Sequence, residues 1–426
     1  MRAIPHSRIA FIWIAGLCAR LAWWWFARPE PVSDFEYIRR LAEDLVDHGQ
    51  FGFPHLESGR LPLYPFVLSL LMRVSPAIDW LATATVVMSS LLVPVVALLT
   101  SRLGFATGVS IAAAWIIALN PVFVYYAPVL ATEHLFALFL VAGLAIAART
   151  GPSGSLSRDL ALSAAAGGLL GLSALSRGDA VMYLPVFIVL VWRVSASLRW
   201  LSVAALVVAL SLVVTPWYVR NRVLFGPGAG LSTSAGPTFY FAHKDGPAGW
   251  TPLAGTPLEG LNGADRQRRA YELGWEYMKR IGPVGVAADV ARATVRLYSP
   301  LHARYTLSWS TQRLTGGPDE FTPRPLPGRR IFEALSGFYA LVLAAAIWSV
   351  RLVRHFPPNA ALALYGLVLM NWLGHAWIFV AEARYRYAAE VVLCILAAMT
   401  IRGGIALAGR IGGRAGDSSR RGQTTA

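Results

Sequence analysis

The 426 residues predict an all-α polytopic membrane protein with about ten transmembrane helices, and three observations carry that expectation. Hydrophobic residues make up 56% of the chain and charged residues 14%, far from the usage of an ordinary soluble domain. Apolar runs long enough to cross roughly 30 Å of hydrocarbon recur along most of the sequence. The alternating pattern of an outer-membrane barrel is absent, so each crossing is expected to be a helix, which satisfies its own backbone groups inside lipid.

The first apolar segment, near residues 9–27, lacks a small-residue cleavage signature and ends in Trp23, Trp24 and Trp25. It reads as a retained helix with an interfacial aromatic end, not a signal peptide. Further spans are expected near 80–100, 107–126, 134–149, 159–176, 180–194, 200–218, 332–350, 359–380 and 387–408. Residues 61–75 are apolar but short, and reading them as a span would invert the arginine pattern of every later loop. They are expected to form an interfacial helix. Two large polar loops result, 28–79 and 219–331, the second between spans seven and eight. The membrane domain therefore occupies residues 1–408, and 409–426 form a basic, low-complexity tail.

Ten spans put both termini on one face. If that face is cytoplasmic, its loops carry Arg102, Arg149, Arg158, Arg193, Arg199, Arg351 and Arg354, as well as the arginine-rich tail, as the positive-inside rule requires. The reading is a bacterial inner-membrane protein with its active loops on the periplasmic face. Of the 23 acidic residues only Asp159 and Asp417 then fall on the cytoplasmic side, which directs the search for function to the outer loops. The net charge of +15 does not form one stripe, so membrane lipid rather than nucleic acid is the expected counter-charge. Cys18 and Cys394 both lie in apolar segments, which excludes a disulfide framework or a cysteine metal site.

In the first outer loop, residues 34–53 place Phe35, Ile38, Leu41, Ala42, Leu45 and Val46 on one helical face, the pattern of an amphipathic helix lying on the membrane. Ser33 followed by Glu36 matches a capping box, which puts Asp34 in the first turn. There an acid stabilises the helix dipole. The functional alternative is a carboxylate beside the bilayer that takes a proton from an acceptor hydroxyl. The dipole lowers its basicity, so partial burial or a second acid nearby is expected to restore it. Glu133, in Thr132-Glu133-His134 at a span edge, is that candidate. Asp34, Glu133 and His134 or His243 could also hold a divalent metal, but no HxxxH, HxH or DxD spacing supports one, and none is expected to be required.

Several stretches in order, SDFEYIRRLAEDLVDHGQFGF, RLPLYPFVLSLL, NPVFVYYAPVLATEHLFALFLVAG, ALSRGDAVMYLP, TPWYVRNRVLFG and AEARYRYAAEVVL, resemble the GT-C superfamily of glycosyltransferases. The resemblance is to dolichyl-phosphate-mannose protein mannosyltransferases and bacterial aminoarabinose lipid A transferases, and it covers roughly residues 10–400. It implies a sugar donor carried on a polyprenyl phosphate, transfer on the outer face, and inversion at the anomeric carbon. By the same resemblance Asp34 matches the first-loop acid taken as catalytic base, and Glu133 the acid of the second outer loop. Leu61-Pro62 replaces a common Pro-Pro, and the chain ends without the soluble periplasmic domain that some relatives append, leaving glycolipid, glycan or protein hydroxyls open as acceptor.

A phosphate leaving group needs fixed positive charge, and arginine binds its oxygens bidentately. Arg220, Arg384 and Arg386 are the first candidates, and Lys244 and His243 stand in the neighbourhood the resemblance assigns to donor contacts. Arg177 beside Asp179 reads as a structural ion pair, and Glu36, Tyr37 and His134 as supporting residues. No covalent nucleophile is required, because positioning and electrostatics carry such a reaction. The competing class is a transporter or flippase of a polyprenyl-linked glycan, which should show internal repeats and midplane charges that this sequence lacks.

Overall fold

The computed structural model describes residues 5–52, 60–148, 155–194, 198–246, 248–249, 253–316, 320–335 and 337–403. The expected basic tail, 409–426, and the Arg149 end of its loop lie outside them. Helices follow in the order α1 (His6–Ala27), α2 (Ser33–Asp47), α3 (Leu63–Met72), α4 (Ile78–Ser90), α5 (Leu92–Arg102), α6 (Thr107–Leu119), α7 (Pro121–Tyr126), α8 (Glu133–Ala147), α9 (Leu156–Ser176), α10 (Leu184–Val194) and α11 (Arg199–Phe225). Then come α12 (Ala235–Ala242), α13 (Gly263–Leu297), α14 (His302–Trp309), strands β1 (Gln312–Leu314) and β2 (Phe321–Pro323), α15 (Arg329–Leu335), α16 (Gly337–Trp348), α17 (Ala360–Trp372) and a last helix, α18, over 387–403.

Within the described residues, the ten expected spans are largely helical. Six stretches among the described residues are long and apolar enough to cross a membrane by themselves: His6–Ala27, Ile78–Arg102, Leu156–Ser176, Arg199–Phe225, Arg329–His355 and Ala360–Ile378. The chain is a multi-pass membrane protein. Its core packing is built on small residues: α9 lies between α8 and α11, and Gly167 and Gly171, one turn apart, bring α9 onto α11. A Cβ at Gly167 would overlap the carbonyl oxygen of Leu206.

The expected span 107–126 is broken at Asn120-Pro121, where the Asn120 side chain accepts from Val122 N and Pro121 opens α7. The break strands two carbonyls. Ile117 O loses its partner because Pro121 has no N–H, and Ala118 O loses Val122 N to the Asn120 cap. Arg20, fully buried in α1, donates to both at 2.9 and 2.8 Å, and to Gly16 O at 2.9 Å. Gly16 allows the approach, since a Cβ there would lie 3.0 Å from Ala118 Cβ.

Three expectations need correction. Ser33 is not a side-chain cap: it is the first residue of α2, with φ of 49°, Val32 stands before it, and Glu36 bonds Arg39 and Arg40 instead of reaching back. The α2 face also differs, because Glu36 and Asp44 are buried while Val46 is exposed. The chain is likewise not purely helical. β1 and β2 pair antiparallel, Gln312 opposite Pro323, and this ribbon accepts from Glu30 N at Gln312 O (3.2 Å) while Glu30 Oε2 receives Leu314 N (2.9 Å). It thereby pins the α1–α2 connection immediately ahead of Asp34.

Candidate functional site

Asp34 sits in the first turn of α2, whose buried Phe35, Ile38 and Ala42 belong to the main apolar core. Its carboxylate is clamped from two distant parts of the chain. Arg60, just before α3, bonds Oδ1, and Arg384 Nη1 donates to Oδ2 at 2.9 Å. Burial pushes the Asp34 carboxyl up, but the two guanidinium groups outweigh it and hold the acid well below the usual carboxylate range. Burial acts in the expected direction, but the immediate neighbours of Asp34 are cations rather than Glu133.

Glu133 opens α8 and is buried, with its Oε1 receiving Arg177 Nη1 at 2.9 Å and its Oε2 accepting from Thr132 Oγ1 at 3.2 Å. Arg177, at the end of α9, also donates through Nη2 to Asp179 Oδ2 at 3.1 Å, with Nε 3.3 Å from both carboxylate oxygens. The expected Arg177–Asp179 pair exists, and it extends to the cavity acid Glu133. A third partner comes from a π-helical turn, Leu373–Ile378, which ends α17 and places His375 Nε2 3.1 Å from Asp179 Oδ2.

Tyr385 joins the two clamps. The guanidinium carbons of Arg177 and Arg384 lie 5.0 and 5.1 Å from its ring centroid, and the His375 ring stacks on it at 5.1 Å and 14°. Arg384 Nη2 reaches the Tyr385 hydroxyl at 3.3 Å, and Nε lies 3.1 Å from Glu382. The 3-10 turn Ala383–Arg386 between α17 and α18 supplies this group.

Asp34, Arg60, Glu133, Arg177, Asp179, His375, Arg384 and Tyr385 line one cavity of about 480 Å³, within the range of small-molecule sites. Its remaining wall comes from residues 230–238 and from Gln267 and Tyr271 of α13. The arrangement sets three carboxylates and three guanidinium groups around a space of small-molecule size, and the guanidinium groups are suited to bind phosphate oxygens. Among the described residues no cluster of three His, Cys, Asp or Glu is placed to hold a metal ion.

Other candidates lie elsewhere. Arg386, two residues from Arg384 on the opposite side of the turn, is fully buried, donates to Leu297 O (2.6 Å) and Ser299 O (3.2 Å) at the end of α13, and pairs with Glu390 at 3.1 Å. Its donors are committed, so the expected phosphate contact is corrected to a structural one. Arg220 donates to Phe51 O (2.9 Å) and stacks on Trp217 at 4.3 Å, outside the cavity. Lys244 packs over Phe241, and His243 bonds Trp377 O at 2.9 Å. His134 is buried between Val129 O and the Tyr387 hydroxyl, at 3.1 and 3.2 Å. Glu36 is spent on Arg39 and Arg40, and Tyr37 stands beside Arg60, whose guanidinium lies 5.6 Å from its ring. Sequence reasoning missed Arg60, Asp179, His375 and Tyr385 as cavity residues. The only signal for Tyr385 was its place inside ARYRY.

The chain matches no protein-family model and no curated protein sequence. Solved structures do match. The archaeal oligosaccharyltransferase AglB from Archaeoglobus fulgidus, in complex with an inhibitory peptide and a dolichol-phosphate, aligns with a TM-score of 0.55 at 17% identity, over 95% of this chain and 51% of that one. The same enzyme tethered to an acceptor peptide aligns at 0.52 and 17%, over 92% and 49%. ArnT from Cupriavidus metallidurans bound to undecaprenyl phosphate aligns at 0.44 and 14%, over 93% and 77%. The chain spans about half the length of the oligosaccharyltransferase it matches. The likeness to AglB shows a shared fold, as the sequence resemblance implied.

Proposed function

We propose that the chain is a membrane glycosyltransferase that moves a sugar from a polyprenyl-phosphate donor to a hydroxyl acceptor on the periplasmic face, with inversion and with Asp34 as base. The observation that carries this reading is the clamp of Asp34 between Arg60 and Arg384 in a cavity that also contains Arg177 and Glu133. The AglB fold supports it, and that structure contains a dolichol-phosphate. The arginine-rich loops on the opposite face support the ten-crossing orientation.

In this mechanism the acceptor oxygen attacks the anomeric carbon, and the bond from that carbon to the phosphate oxygen breaks. The electron pair leaves with the phosphate, and the acceptor proton passes to Asp34. A carboxylate held by two arginines is a poor base. A donor phosphate that draws Arg60 or Arg384 onto its own oxygens restores that basicity when the substrate is in place. Glu133, held by Arg177, keeps a second carboxylate beside the reacting sugar. No protein nucleophile is needed.

The test is release of polyprenyl phosphate from a polyprenyl-phosphate sugar by the protein in membranes from its source, which contain the acceptor. Asp34→Asn should reduce the rate about 10²–10⁴-fold, the usual weight of a general base. Transfer at the unaltered rate in this variant would remove Asp34 from the mechanism. Movement of the intact donor across the membrane without release would favour the carrier reading.

A further inference from the structure

Trp217, Arg220 and Asn221, all in the TPWYVRN stretch at the end of α11, do not line the cavity, yet they hold part of its wall. The chain leaves α11 at Gly226, whose φ of 86° suits glycine, and Ala229 N donates to Gly226 O at 3.0 Å. This tight return brings residues 230–231 back to the last turns of α11. Gly230 and Leu231 line the cavity and belong to no helix or strand, so no backbone ladder fixes them.

Side chains of α11 fix them instead. Asn221, fully buried, donates through Nδ2 to Gly230 O at 3.1 Å and to Leu231 O at 2.9 Å, and Trp217 Nε1 donates to Leu231 O at 3.0 Å. Four residues apart, Trp217 and Asn221 share one helical face. Arg220 sets the amide: its Nη1 donates to Asn221 Oδ1 at 3.0 Å, which turns Nδ2 to the two carbonyls. Its Nη2 donates to Phe51 O at 2.9 Å, and Phe51 stands edge-on to Trp217 at 4.9 Å and 83°. The same three side chains therefore tie both the loop after α2 and the loop after α11 to one helix. That helix packs on α9, and the residue after α9 is the cavity's Arg177.

We propose that Trp217, Arg220 and Asn221 are a latch that builds the 230–231 wall before any ligand arrives, and that they are positioning residues for the donor. The latch stands on the contacts alone, while its part in donor binding rests on the reading above. Irregular backbone without such anchors samples several conformations, and a donor that needs one of them binds more weakly in proportion to the time it is absent. Three hydrogen bonds on two consecutive carbonyls remove that loss. Arg220, the first candidate for a phosphate contact, thus acts on the donor through Asn221 and not by touching it.

The experiment uses the full chain in nanodiscs, unaltered and as Asn221→Asp and Trp217→Phe. Asn221→Asp keeps an acceptor for Arg220 but sets oxygen against both carbonyls. Trp217→Phe keeps a ring and removes one donor, and it decides the matter if Asn221→Asp does not fold. Limited proteolysis read by mass spectrometry should find residues 226–234 resistant without ligand in the unaltered protein and cut in Asn221→Asp. Affinity for polyprenyl phosphate and for polyprenyl-phosphate mannose, measured by native mass spectrometry, should fall about tenfold in Asn221→Asp and about threefold in Trp217→Phe. In transfer the loss should fall on KM for the donor and leave kcat unchanged, a split that a general loss of structure would not give. Cleavage within 226–234 of the unaltered protein that polyprenyl phosphate suppresses would make the segment a ligand-ordered lid and overturn the latch. A loosened segment with unaltered affinity for both lipids would overturn its role for the donor while the donor reading stands. Failure of the unaltered protein to bind either lipid would remove the donor reading and that role with it, and the proteolysis still decides the latch.

Discussion

Arg20 makes the strongest stability prediction, because the backbone break it repairs also delivers Glu133 to the cavity. In Arg20→Met the side chain stays unbranched and apolar along its stem, is shorter by the guanidinium, and loses every donor. Ile117 O and Ala118 O, already stranded by Pro121 and the Asn120 cap, then face the apolar interior alone. Leaving a buried acceptor unsatisfied costs ~1–3 kcal/mol, so the two together should cost roughly 2–6 kcal/mol. Pro121→Ala supplies an N–H able to serve Ile117 O. If stranded carbonyls are what Arg20 serves, the double variant Arg20→Met/Pro121→Ala should lose less stability than the two single variants summed. Thermal unfolding of the four proteins in one detergent checks this. A midpoint for Arg20→Met equal to that of the unaltered protein, or strict additivity in the double variant, would refute the argument.

Three further outcomes follow from the same geometry. Because Arg60 and Arg384 hold Asp34 of the free protein well below its ordinary value against the opposing effect of burial, kcat/KM for the donor should not fall as pH drops toward ~4. In Arg384→Gln one cation is gone, the carboxyl titrates higher, and the acid limb of a pH–rate profile should move to higher pH; superimposable limbs would refute the clamp. Arg386→Gln removes the cation paired with the fully buried Glu390, so it should cost about 3–5 kcal/mol of stability without changing the pH profile. Gly167→Ala forces a methyl group against Leu206 O and should destabilise the α9–α11 contact by about 1–3 kcal/mol, read as a lowered unfolding midpoint.

The positions of the apolar helices were legible because lipid admits few backbone solutions. Asp34 and Glu133 were legible as cavity acids because an acid at the edge of an apolar run is conspicuous. What hydropathy did not carry was pairing. Arg384 and Arg386 are indistinguishable as ARYR, yet the tight turn sends one to Asp34 and the other into the end of α13. His375 lay within an apparent span, and only the π turn sets it against Asp179. The capping box at Ser33 failed because Arg39 and Arg40 compete for Glu36 within the same helix. The ribbon of β1 and β2 is three residues per strand, too short for any periodic signal.

The pairing itself bears on catalysis. At rest the cavity arginines are each bound to carboxylate: Arg60 to Asp34, Arg384 to Asp34 and Glu382, and Arg177 to Glu133 and Asp179. On the proposed reaction the donor is a phosphodiester with one negative charge, and the departing polyprenyl phosphate gains a second as the glycosidic bond breaks. The pull of the phosphate on the guanidinium groups therefore grows along the reaction, while the pull of Asp34 falls as it takes the acceptor proton. Both changes move Arg60 and Arg384 toward the phosphate, so the same two residues stabilise the leaving group more in the transition state than in the bound donor. A site built from free arginines would bind donor and product tightly throughout. One built from arginines shared with the base holds part of that binding energy back until the proton moves.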